Sequence, residues 1–193
     1  MQRLLPSELA WYATGRFYRI EDGSLADYGY FLHLPFPGCP LFDGARGETT
    51  AHFTFAAEPF SDASVTNGAL SLAVDPVGEF SLYLQRRPVG DFDDPATFAQ
   101  GERIATFRRT SLVVDTTVTG GSAAAALLIS NVFSARLIES REFAFDGRRF
   151  DLAHAIGHGI TQFGIAATAP IVPPPRGYTT VVPFTGSAIA LGA

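Results

Sequence analysis

The chain has a single cysteine, Cys39, and charged side chains at only 17% of its 193 residues. Each scarcity removes a class of protein. One cysteine forbids an intrachain disulfide, so the fold has to stand on an apolar core, and this usage suits a reducing compartment. With a net charge of −5, the chain lacks the basic field that phosphates or anionic lipids demand, which argues against nucleic acid as a partner. No hydrophobic run is long enough to span a bilayer as a helix, and the longest, Ala123 to Ile129, has the length of a strand. At the amino terminus the apolar run breaks at Pro6 and Ser7. This leaves no secretory hydrophobic region and gives a cytoplasmic expectation, with a mature secreted form as the alternative.

What is present is apolar and aromatic: 47% hydrophobic residues and 17 phenylalanines, enough to fill one sizeable core. The whole length, 1–193, reads as a single all-β domain. Thr14 to Ile20, Tyr28 to Leu34 and Thr49 to Ala56 mix aromatic and β-branched residues with polar ones. In the last of these, Ala51, Phe53 and Phe55 share one face and Thr50, His52 and Thr54 the other. Ala69 to Val74 and Glu79 to Leu84 flank Asp75-Pro76-Val77-Gly78 and predict a hairpin. Arg103 to Arg108, Ser111 to Thr119, Ala124 to Ser130 and Phe133 to Ile138 read as further strands, with a turn at Gly120-Gly121-Ser122. Asp146-Gly147 between Phe143 and Ile156 is the strongest hairpin signal.

Three segments interrupt the pattern. Residues 35–47 carry three prolines in six positions and read as an irregular loop. Residues 85–101 contain a short helical turn, with Asp94 as cap, Pro95 at its first position and Gly101 at its end. From residue 170 the chain is proline-rich, and Tyr178 to Phe184 reads as an edge strand because it contains Pro183. Short strands at this spacing predict an antiparallel β-barrel of about 8–10 strands, with a β-sandwich as the alternative.

Candidate chemistry starts from histidine. Alternation through a second hairpin strand puts Phe150, Leu152, His154 and Ile156 on one face, so His154 is a candidate acid or base among apolar groups. His52 and Tyr83 are candidate polar anchors, with Phe53, Phe55, Phe150, Leu152 and His158 as candidate ligand contacts. The four-residue spacing of His154 and His158 raises a metal reading, with His52, His33 or Asp151 as a third ligand. Ala155 stands where a metalloprotease needs glutamate, and no spacing recruits that third ligand, so no metal or other cofactor is assigned. Asp91, Asp93 and Asp94 lack EF-hand spacing and read as a solvated loop. The arginine pairs Arg86-Arg87, Arg108-Arg109 and Arg148-Arg149 read as solvated strand tips.

The segment Phe92-Asp93-Asp94-Pro95-Ala96-Thr97 resembles the Phe-Asp-Asp-Pro-x-Thr sequence of plant dirigent proteins, whose relatives include allene oxide cyclases. The resemblance covers these six residues, and the rest of the chain does not follow the dirigent order of motifs. It implies an eight-stranded barrel with an apolar pocket that holds a reactive intermediate, and matches only Asp93 and Asp94 to that family's acidic pair. The functional expectation is a barrel binding a small hydrophobic molecule, as a cofactor-independent cyclase or isomerase, with homo-oligomerisation open. The rivals are a non-catalytic β-sandwich module and a metal-dependent barrel enzyme.

Overall fold

The computed structural model describes residues 8–60, 64–67, 70–74, 78–118, 126–167 and 169–191, with the backbone alone in 58–74 and 111–131. Among them lie twelve strands: β1 (Leu9–Ile20), β2 (Leu25–His33), β3 (Phe53–Phe60), β4 (Ser64–Asn67), β5 (Leu70–Val74), β6 (Glu79–Leu84), β7 (Glu102–Val118), β8 (Ala126–Ser140), β9 (Phe143–Phe145), β10 (Arg148–Phe150), β11 (Gly159–Ala166) and β12 (Tyr178–Leu191). Eight of them close an antiparallel up-and-down barrel in the order β1, β2, β3, β6, β7, β8, β11, β12, with β12 returning to β1. The barrel expectation holds, and closure leaves these strands no edge within the barrel wall.

One expected hairpin differs from the structure. β5 and β6 do not pair with each other; both lie along β7, β6 opposite Glu102 to Arg108 and β5 opposite Val113 to Thr117. They are successive pieces of one strand line, as are β3 and β4, and the chain reverses between Asn67 and Leu70, which pair. The physical reason is length: β7 runs 17 residues and β8 15, where the sequence pattern suggests two strands each. Their far halves leave the barrel and form with β5 and β4 a four-stranded extension. The expected turn residues 75–77 and 120–122 lie outside the described residues.

The other correction concerns β12, which sits between β1 and β11 and not at an edge. Its Pro183 is tolerated for a local reason. N–H and C=O of one strand residue point the same way. Pro183 O accepts from Ala167 N at 2.8 Å, so its nitrogen faces β11 just past that strand's last pair, Ala166 with Phe184. The missing donor falls where no ladder partner is needed.

Inside the barrel, small and large residues alternate. Gly15 and Gly29 pair across β1 and β2, and their flanking partners are Phe184 on β12 and Phe55 on β3. The two rings lean over the glycines, with centroids 6.1 Å apart. Trp11, Phe31, Phe80 and Phe107 fill the next layer through edge-on and stacked contacts. Trp11 Nε1 donates to Gln162 Oε1 at 2.9 Å, satisfying the one indole inside. One end is plugged by Phe36, Phe143 and Phe150 from the connecting loops, with Leu152 and Ile156 also buried in this core.

A methyl group at position 29 would lie 2.1 Å from Thr14 O and 2.7 Å from the Phe55 ring. Gly29→Ala should therefore lower the free energy of unfolding by roughly 2–3 kcal/mol in urea titration, the cost of overpacking a filled interior.

Candidate functional site

The Asp146-Gly147 hairpin forms as expected, with φ of 48° and 70° at its two central residues, the pattern of a type I′ turn joining β9 to β10. The segment after β10 is not a continuation of that strand. Asp151 accepts from Ala153 N at 3.0 Å and caps a short helix, α1 (Leu152–Ile156), while Ser140 Oγ donates to Asp151 at 2.5 Å. Helical spacing buries Leu152, Ala155 and Ile156 and turns His154 outward, its side chain 79% exposed. The face that would have put His154 among apolar groups does not exist, because the cap competes successfully with strand alternation. His154 Nδ1 lies 3.2 Å from Asp151 Oδ2 at the surface, and His158 is exposed in the turn after α1.

His52 is buried, yet it faces neither lumen nor open solvent. It lies just before β3, its Nδ1 bonded to Gln85 O at 2.9 Å and its ring edge-on to Phe145 at 4.9 Å. Thr54 is on the outer wall, where its hydroxyl donates to Phe98 O at 2.6 Å. The 85–101 loop covers this wall, and Tyr18 holds it by donating to Phe92 O at 2.9 Å. Burial pushes the Tyr18 hydroxyl well above its ordinary range. The 3-10 turn there spans Pro95–Ala99 with Pro95 at its start; Asp94 does not cap it through its side chain, and Gln100 rather than Gly101 closes it. Tyr83 is half-buried on the outer wall opposite Thr54. Phe53 and Phe55 point inward as expected and fill the interior, and Phe150 belongs to the plug with Phe36. The structure thus brings Phe53 and Phe150 together with Phe36 and Phe143, but does not bring His52, Tyr83 and His154 to one place.

The polar chemistry inside the barrel lies elsewhere. Arg109 Nη2 donates to Asp27 Oδ2 at 2.7 Å, with side chains 3% and 7% exposed. The guanidinium carbon sits 5.4 Å from the Phe80 ring centre and 5.3 Å from that of Phe133. Burial raises the Asp27 carboxyl while the Arg109 charge pulls it back down. The pair lies at the end opposite the plug, where the extension departs. A register shift in the β7–β8 ladder falls between Arg109 and Ser111, the kind of bulge that re-aims a side chain. Sequence reasoning passes over Asp27 and reads Arg109 as a solvated strand tip, which its burial overturns; alternation carries the signal, because Leu25, Asp27, Gly29 and Phe31 share a face, as do Ala105, Phe107 and Arg109. The neighbouring Arg108 does behave as a solvated residue, paired with Glu79 at 2.7 Å.

Among the described residues no three His, Cys, Asp or Glu side chains gather as a metal site. No helix among them is long and apolar enough to cross a membrane. Asp93 and Asp94 are exposed on the outer loop, away from the interior. Comparison with known proteins found no matching family model, no matching curated protein and no matching solved structure.

Burial pushes the Cys39 thiol up to about 11. Iodoacetamide at pH 8 should label it on the order of 100-fold more slowly in the folded than in the urea-unfolded protein, because the thiolate is the reactive form. His154→Ala and His158→Ala should each change unfolding free energy by less than about 0.5 kcal/mol. His52→Ala should cost about 1–2 kcal/mol through the lost Gln85 bond, and chemical denaturation of the three variants measures the contrast.

Proposed function

We propose that this barrel binds a small apolar molecule at the Asp27–Arg109 end and acts on it as a cofactor-independent isomerase or cyclase. The observation that supports the reading is a buried ion pair in an interior otherwise filled mainly by apolar side chains and aromatic rings. Desolvating two charges costs several kcal/mol per ion, and apolar replacements of such pairs are often neutral or stabilising. Stability alone is therefore a weak reason for the pair. A fixed acceptor beside a fixed cationic donor suits proton transfer within one substrate. Asp27 takes a proton from an acidic C–H or O–H, Arg109 stabilises the oxygen that gains charge, and the same proton returns at another atom. Substrate and product are then isomers, and no external oxidant or reductant enters.

A second reading, a non-catalytic β-module, draws support from the same interior, since aromatic rings occupy the barrel from the plug to Phe80 and Phe133. One comparison separates the two. Protein purified from its own host should release an apolar small molecule on denaturation, detected by mass spectrometry, and the Asp27→Leu/Arg109→Met double variant should fold with near-native stability and release none. If wild type and double variant both release nothing, the non-catalytic reading stands and the enzymatic one falls.

A further inference from the structure

We infer that the outer wall of β11 and β12 is the docking face for a second copy of this chain, giving a twofold dimer in which a ridge on β11 of each copy fills the trough over β12 of the other. The inference is independent of the ligand reading above. Large exposed apolar side chains scattered singly are ordinary on a protein surface, but here they gather. Phe163 is 56% exposed and Ile165 67%, and they are successive outward residues of β11. The ladder sets Val132 on one side of Phe163 and Ser187 on the other, with Tyr12 next beyond Ser187. Phe163 and Ile165 thus form a ridge, and with Tyr12 they wall a groove of about 410 Å³ whose floor is Thr185, Gly186 and Ser187.

Charge and hydrogen bonding both suit this wall to burial. From Thr161 to Ile165 on β11 and from Thr185 to Ile189 on β12 no residue is ionisable, and the nearest charges stand at the two borders, Arg16 at one and Arg136 and Glu8 at the other. In a chain of net charge −5, two copies can meet here without like charges opposed. The hydroxyls of the wall are turned back into their own sheet: Thr14 donates to Phe184 O at 3.0 Å, Thr185 to Ala13 O at 3.0 Å and Thr161 to Phe133 O at 3.3 Å. Covering them strands no donor. Register then makes the wall self-complementary, because Phe163 pairs with Ser187 and Ile165 with Thr185, large beside small. A twofold axis along the strands, midway between β11 and β12, carries Phe163 of one copy over Ser187 of the other and Ile165 over Thr185, and every contact occurs twice. Four strands about 4.8 Å apart and about seven residues long make a wall of roughly 19 by 23 Å. Two such walls cover on the order of 900 Å², the size of a weak, reversible complex.

The test is sedimentation velocity of the full chain from about 1 to 100 μM, in low and in high salt. The wild type should pass from monomer to dimer over this range, with no weakening as salt rises, because the contact is apolar. Phe163→Glu should keep the circular dichroism spectrum and dimerise at least about tenfold more weakly, through an unpaired charge at the contact. Mixing Phe163→Glu with Ser187→Lys should recover the dimer, because the axis sets position 163 of one variant over position 187 of the other. Should Phe163→Glu fail to fold, Ile165→Glu mixed with Thr185→Lys keeps the test. A wild type that stays monomeric at about 100 μM overturns the inference, and flotation with phosphatidylcholine vesicles would then assign the face to a lipid surface. A dimer that persists unchanged in Phe163→Glu overturns it by placing the contact elsewhere, and a mixture that stays monomeric overturns the twofold arrangement.

Discussion

The close approach of β1 and β2 at Gly15 and Gly29 is the constraint on which the interior depends. The two glycines oppose each other in the ladder, and any Cβ on either would enter the backbone oxygen of the facing strand or the Phe55 ring. The space they vacate is taken by Phe55 and Phe184, which arrive from the strands on either side and meet above them. One small pair thus lets two large residues fill the middle of a narrow barrel, where two large pairs would force the wall apart. The same device recurs farther round the wall, on β11 and β12, where Gly164 faces Gly186 and the Gln162 side chain occupies the room.

Filling the middle separates two unlike ends. Toward the plug, the connections of residues 34–52 and 141–158 supply Phe36, Phe143 and Phe150, and the interior there is aromatic. Toward the other end the wall stops being a barrel. β6 ends its pairing with β7 near Arg108, β5 takes over at Val113, and the bulge between Arg109 and Ser111 falls in the gap. Arg109 is held there from the backbone, its N–H donating to Gly78 O at 3.1 Å. The interior charge therefore sits at the junction between a packed barrel and a projecting sheet, the place where the ladder has most freedom to position a side chain.

How much of this is legible in the sequence depends on the range of the interactions. Local signals are reliable where local geometry decides the outcome: the left-handed φ values that Asp146-Gly147 supplies, Pro95 at the first position of its turn, and the alternation that turns Phe53 and Phe55 inward. They fail where a competing local bond wins. Asp151 caps a helix, and the alternation that would bury His154 never forms. They fail again where tertiary context decides, since nothing short-range says that β5 and β6 continue one line or that Pro183 lies opposite the end of β11. The histidines draw attention because histidine is the residue type most used for acid–base chemistry and metal binding. The residues that carry the interior charge do not: in the sequence Asp27 is one acid just ahead of a strand, and Arg109 is half of an arginine pair with the look of a solvated strand tip.

Asp27 and Arg109 are 82 positions apart in sequence and three ladder steps apart in the wall, on β2 and β7 with β3 and β6 between them. They can meet only across the closed interior, so their bond exists only when every intervening ladder is in register. A slip of one residue in β7 would turn Phe107 and Arg109 outward together and bring Arg108 inside. Asp27 would then be buried without its partner, at a cost far above that of a misplaced apolar residue. A pair that adds little stability to the correct fold can in this way penalise the incorrect registers heavily. The same two residues then serve the fold by excluding its alternatives and serve the proposed site by holding one acceptor and one donor at a fixed separation. The first of these uses fits the position of the charges at the bulge, where register is otherwise least constrained, and not in the middle of the barrel, where ring packing already fixes it.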